Sequence, residues 1–148
     1  MHEEIEGKKE AEPLISQLAG TGTILLAEDD EALRILSRTV LEEFGYTVIE
    51  AANGEDAISK FIQQKDSIRM VVLDMIMPRK SGKEAYDEIV KVRPDIKALF
   101  VSGYTADKIP MQNIAEQGVE LILRPISPRD FLTKVRDIMS KKARSSAG

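Results

Sequence analysis

The chain has 148 residues, room for one ordinary domain with tails, and no cysteine, which excludes disulfides, thiolate metal sites and a cysteine nucleophile and fits a reducing compartment. Its 21 lysines and arginines stand against 25 aspartates and glutamates, a net charge of −4 with neither sign gathered into a long block, so electrostatics gives nucleic-acid binding no support. No apolar run approaches the ~18 residues needed to span a bilayer, and the start His2-Glu3-Glu4-Ile5-Glu6 lacks a signal peptide's apolar core; the expectation is a soluble, cytoplasmic chain without membrane contact.

Residues 1–21 are polar and charged, with Pro13 and a closing Gly20-Thr21-Gly22, and read as a linker or tail. Thr21-Gly22-Thr23 precedes the first strand instead of following it, so it is punctuation and not a phosphate loop. From Thr23 onward short β-type runs alternate with helix-period segments, and strands are expected at 23–27, 46–50, 69–73, 96–101 and 119–123. After the first strand Leu33, Leu36, Val40, Leu41 and Phe44 are spaced for one helical face, and Gly45 is placed to cap the C-terminus. Asn53 caps a second helix that buries Ala57, Ile58, Phe61 and Ile62. Ser81 with Glu84 three residues on is a capping box for a third, which runs to about Val92 before Pro94. A shorter helix is expected near 106–117. The last has Ser127 as cap, Pro128 at its first position and Phe131, Val135 and Ile138 on one face. The domain thus spans 22–140, and 141–148 is a small, polar tail.

Five strands alternating with five helices at short loop lengths predict an α/β fold, a (βα)5 doubly wound parallel five-stranded sheet. Strand order 2-1-3-4-5, the common flavodoxin-like solution, sets the first and third strands side by side. The first ends on Glu28-Asp29-Asp30-Glu31, and the third, Met70-Val71-Val72-Leu73, ends on Asp74. Ligands gather beyond the carboxyl ends of such strands, so Glu28, Asp29 and Asp74 meet in one crevice. Three close carboxylates repel unless one is protonated or a cation neutralises them, and magnesium suits a few carboxylate and carbonyl oxygens. The Asp74 carboxylate can then act as a nucleophile toward phosphorus. Ser102 follows the fourth strand and offers a hydroxyl; Arg124 ends the fifth and brings fixed positive charge.

These residues resemble the receiver domain of two-component response regulators, over about residues 22–140. The resemblance rests on Ile24-Leu25-Leu26-Ala27-Glu28-Asp29-Asp30-Glu31, on Val72-Leu73-Asp74-Met75-Ile76-Met77-Pro78, on Ser102-Gly103 and on Arg124-Pro125. It implies a CheY-like fold with Asp74 as the phosphorylation site and Mg²⁺ held by Asp29, Asp74, the backbone carbonyl of Ile76 and, largely through water, Glu28. Ser102 would be the hydroxyl that turns inward on phosphorylation, and the Arg124-Pro125 bond would be cis. The partner it implies is a histidine kinase or histidine phosphotransfer domain, since His2 in the leader cannot serve as a phosphorelay histidine. It also admits a homodimer through the face of the fourth and fifth helices and strands. The receiver catalyses its own aspartyl phosphorylation and is not otherwise an enzyme of the ordinary kind. The polar leader resembles the link to a C-terminal receiver of a hybrid sensor histidine kinase; a freestanding receiver is the alternative.

Two departures stand out. Receivers normally carry lysine at Arg124, and many carry Tyr or Phe at Leu121, so the alternative function is a receiver-like interaction module with an impaired or lost switch. Ile76 and Tyr104, at positions that tune loss of phosphate in the family, offer little help in positioning water, and a long-lived phosphoryl group is expected. An aspartyl phosphatase resembles Asp-x-Asp, which Ile76 breaks, and no Ser/Thr/Gly-rich loop follows the first strand to hold a flavin phosphate.

Overall fold

In the computed structural model, which describes residues 19–103 and 119–140, the apolar runs form strands β1 (Thr23–Ala27), β2 (Thr47–Ala51), β3 (Ile68–Asp74), β4 (Lys97–Ser102) and β5 (Glu120–Leu123). Each pairs in parallel with its neighbours in the order β2-β1-β3-β4-β5. The described helices are α1 (Glu31–Glu43), α2 (Gly54–Gln63), α3 (Gly82–Val92) and α4 (Pro128–Ser140). The expected topology is present and every strand falls within one residue of its predicted bounds. The predicted helix at 106–117, Tyr104, residues 1–18 and the tail at 141–148 lie outside the described residues.

The central strands are covered on both faces, so their residues are apolar throughout and alternation sorts them between two cores. Leu25, Val71, Leu73, Ala98 and Phe100 pack toward Ala57, Phe61 and Ile89 of α2 and α3. Ile24, Leu26, Met70, Val72 and Leu99 pack toward Leu41 of α1 and Phe131, Val135 and Ile138 of α4. A register shift between β1 and β3 lets Ile68 join the first core although Met70, two residues on, lies in the second.

The helix ends follow the predicted chemistry. Asn53 accepts the N–H of Asp56 at 2.8 Å, and the Ser81–Glu84 capping box closes with bonds of 3.1 and 2.9 Å. Ser127 accepts the N–H of Asp130 at 3.1 Å. Gly45, at φ +105°, ends α1 in the left-handed region that glycine enters without strain. Two predicted core positions are corrected: Leu36 is 57% exposed and Ile62 52%. Each lies on an apolar stripe broader than the strip of helix the sheet covers. Between β3 and α3 the chain makes a tight turn in which Lys80 donates to Pro78 O at 2.8 Å, with Arg79 at φ +72°. This is a γ-turn of the rare positive-φ kind, placed beside the end of β3.

Candidate functional site

The β1–β2 ladder continues one residue past β1, where Glu28 N–H donates to Ala51 O at 3.0 Å. That bond carries Glu28 over the crevice beside β3, where Asp74 ends its strand. Both carboxylates are buried, while Asp29 is exposed, and one oxygen from each of the three lies within 4.8 Å of the others. The acidic run divides its labour. Asp30 caps α1 by accepting the N–H of Leu33 at 3.0 Å, and Glu31 sits in the first turn, where the helix dipole favours it. Glu28 and Asp29 are left to the cluster.

Burial pushes the Glu28 carboxyl up from its usual 4.5 to about 7. The N–H of Asp30, which Glu28 Oε2 accepts at 3.0 Å, opposes the rise, neighbouring Asp74 reinforces it, and Arg124 opposes it again. Two carboxylates in a water-poor pocket resist holding two charges. Asp74 Oδ1 accepts the N–H of Ile76 at 3.2 Å, and Ile76 itself is exposed.

Arg124 reaches both buried carboxylates. Its Nη2 pairs with Glu28 Oε1 and its Nη1 lies 3.7 Å from Asp74 Oδ1. Its N–H donates to Ser102 O at 2.8 Å, which ties the end of β5 to the end of β4, and the Arg124-Pro125 bond is cis. Arg124 therefore faces the site and is not a solvated strand-end residue. Ser102 is buried, and its hydroxyl has no hydrogen-bond partner among the described residues. A buried hydroxyl without a partner is costly unless another arrangement supplies one. Leu121 packs, partly buried, against the core of α2 and α3.

Sequence reasoning missed two supports. Arg34 donates from Nη1 to Glu28 O at 2.7 Å and from Nε to Glu50 at 2.9 Å, while Arg38 pairs with the same Glu50. Arg34 thereby pins the Glu28 backbone to both α1 and β2. The available signal was a basic residue in the second turn of α1 opposite a lone acid near the end of β2. Gly82 is the second: a Cβ there would lie 2.3 Å from Asp74 O, so only glycine lets α3 begin against the end of β3. Beside the carboxylates a largely apolar cleft of about 530 Å³ runs between α1 and α4, lined by Leu33, Leu36 and Val40 on one side and Ile126 and Phe131 on the other.

A parallel 2-1-3-4-5 sheet with carboxylates at the ends of β1 and β3, a hydroxyl at β4 and a cation at β5 defines a phosphoacceptor module. The chain matches the family described as Response regulator receiver domain over residues 24–136 and belongs to it; it is a receiver domain of two-component signal transduction, a family whose function is phosphotransfer to an aspartate. Among curated relatives it is 34% identical over 127 residues to the sensor kinase CckA of Brucella abortus (strain 2308), covering 86% of this chain and 13% of that protein. It is 28% identical over 116 residues to the response regulator receiver protein CpdR of the same strain, covering 78% of this chain and 95% of that one. Among solved structures, a CheY-like receiver domain protein from Methanospirillum hungatei JF-1 superimposes with a TM-score of 0.74 at 25% identity, covering 87% of this chain and all of that one. No helix among the described residues is long and apolar enough to cross a membrane.

Proposed function

We propose that Asp74 is the phosphoacceptor, fed by a histidine kinase or histidine phosphotransfer domain. The observation that carries this is the convergence of Glu28, Asp29 and Asp74 within 4.8 Å, with Ser102 and Arg124 on the neighbouring strand ends. One oxygen of the Asp74 carboxylate attacks phosphorus, a P–O bond forms, and the P–N bond to the donor imidazole breaks. The imidazole leaves with that electron pair and picks up a proton.

The donor set fits a hard dication. It offers oxygen ligands, one of the three acids is open to solvent for retained waters, and Arg124 alone does not balance the charge. Glu28, Asp29 and Asp74, with the backbone carbonyl of Ile76, would hold Mg²⁺, which when bound neutralises charge on the transferring oxygens. Around it the chain's own groups do the rest. The N–H of Ile76 fixes the Asp74 carboxylate, Arg124 supplies a second cation, and Ser102, whose hydroxyl has no partner among the described residues, can donate to an arriving phosphoryl oxygen. The domain proper is residues 22–140, flanked by the linker and tail at 1–21 and 141–148.

Acetyl phosphate with Mg²⁺ should add one phosphoryl mass to the intact chain, and chelator or Asp74→Asn should abolish the gain. Equal labelling of Asp74→Asn and the parent would overturn the assignment.

A further inference from the structure

Both oxygens of Glu28 are already spoken for: Oε2 by the N–H of Asp30 and Oε1 by the guanidinium of Arg124. Each oxygen keeps a second lone pair, but a divalent cation that recruits Glu28, directly or through a bound water, meets the like-charged guanidinium at the same carboxylate, which favours giving up one of the two partners. The Asp30 N–H cannot leave, because Asp30 is the cap that starts α1 and its backbone position is set there. Arg124 can. Its side chain is 27% exposed, and its second nitrogen already lies 3.7 Å from Asp74.

We infer that Arg124 is a built-in counter-cation that competes with the divalent metal for Glu28, so that metal entry drives the guanidinium to release Glu28 and turn toward Asp74. The inference rests on the reading of Glu28, Asp29 and Asp74 as a metal site. It gives this chain a property that a lysine at 124 would not supply, since a compact ammonium lacks the planar fork that spans two carboxylates at once. In the metal-free protein the fork sets one positive charge among three clustered carboxyl groups. Once displaced, it has donors to spare beside Asp74, where phosphoryl oxygens arrive, so metal and phosphoryl group favour each other through Arg124. Such coupling is reciprocal.

The test is Mg²⁺ affinity by isothermal titration calorimetry on the full chain, with no phosphodonor present. Arg124→Gln should bind Mg²⁺ about tenfold more tightly than the parent, the factor for one charge-assisted hydrogen bond at the low end of its range. Arg124→Lys, which keeps the charge and loses the fork, should gain several-fold. Arg69→Gln removes the same charge at the opposite end of β3, beyond the screening length at physiological salt, and should leave the affinity unchanged. A second readout needs no variant in the measured sample: the guanidinium nitrogen resonances of Arg124, assigned by their loss in Arg124→Lys, should shift as Mg²⁺ saturates. Tightening in both Arg124 variants with a flat Arg69→Gln supports the competition. Metal binding that ignores Arg124, an equal gain in Arg69→Gln, or guanidinium resonances fixed through saturation overturns it while leaving the metal reading intact. Absence of Mg²⁺ binding in the parent and every variant overturns both.

Discussion

Replacing Glu28 with glutamine in the metal-free protein should stabilise it at pH 8 by much more than at pH 5. Glu28 is 4% exposed and its carboxyl is pushed from 4.5 to about 7, chiefly by burial, so the folded chain holds a proton there that the unfolded chain has given up. Between these values stability falls as pH rises: the contribution is full below 4.5 and lost as pH climbs through about 7. At 1.36 kcal/mol per pH unit, the span from 4.5 to about 7 sets an upper bound of about 3 kcal/mol. Glutamine is neutral and nearly the same shape. Its amide oxygen can still accept the Asp30 N–H, and its NH₂, which gives up the pairing with Arg124, can donate to Asp74. The expected gain at pH 8 is therefore about 1–3 kcal/mol, or roughly 3–9 °C in Tm for a chain of this size. Thermal melts in chelator at pH 5, 6, 7 and 8 measure it, with the two proteins diverging as pH rises. A gap that stays constant with pH, or a variant less stable than the parent at pH 8, would refute the idea that a buried ionised Glu28 strains the metal-free fold.

Saturating Mg²⁺ should raise stability by RT ln(1 + [L]/Kd), about 2.7 kcal/mol at a hundred times Kd, and Asp29→Ala should lose most of that rise in parallel melts. Gly82→Ala should cost about 2 kcal/mol or more and slow phosphorylation by acetyl phosphate, because its Cβ would meet Asp74 O at 2.3 Å; urea midpoints and intact-mass time courses report the two effects. Ser81→Ala removes only the capping box of α3, so it should cost about 1 kcal/mol in urea with the phosphorylation yield unchanged.

The topology was legible because each strand is a short apolar run bounded by capping residues, and the caps themselves were read correctly at Gly45, Asn53, Ser81 and Ser127. Burial along helices was read less well. Leu36 and Ile62 satisfy helical periodicity, yet periodicity reports an apolar stripe and not the width of what covers it; Leu36 lines the cleft between α1 and α4 instead of closing it. The register shift at β3 was invisible for a related reason: a strand buried on both faces carries no alternation to interrupt. At the site, strand ends located the acids, the hydroxyl and the cation, since placement there follows from topology alone. Pairing did not follow. That Arg124 grips Glu28, or that Arg34 holds the Glu28 carbonyl against Glu50, depends on side-chain paths across elements distant in sequence.

Borohydride trapping identifies the atom that takes the phosphoryl group. Chain phosphorylated with Mg²⁺ and acetyl phosphate, then reduced with borohydride, converts an acyl-phosphorylated aspartate to homoserine that peptide mass mapping can place. The prediction is homoserine at position 74 alone. Homoserine at position 29, or a phosphorylated chain in which Asp74 is recovered unchanged, would contradict it.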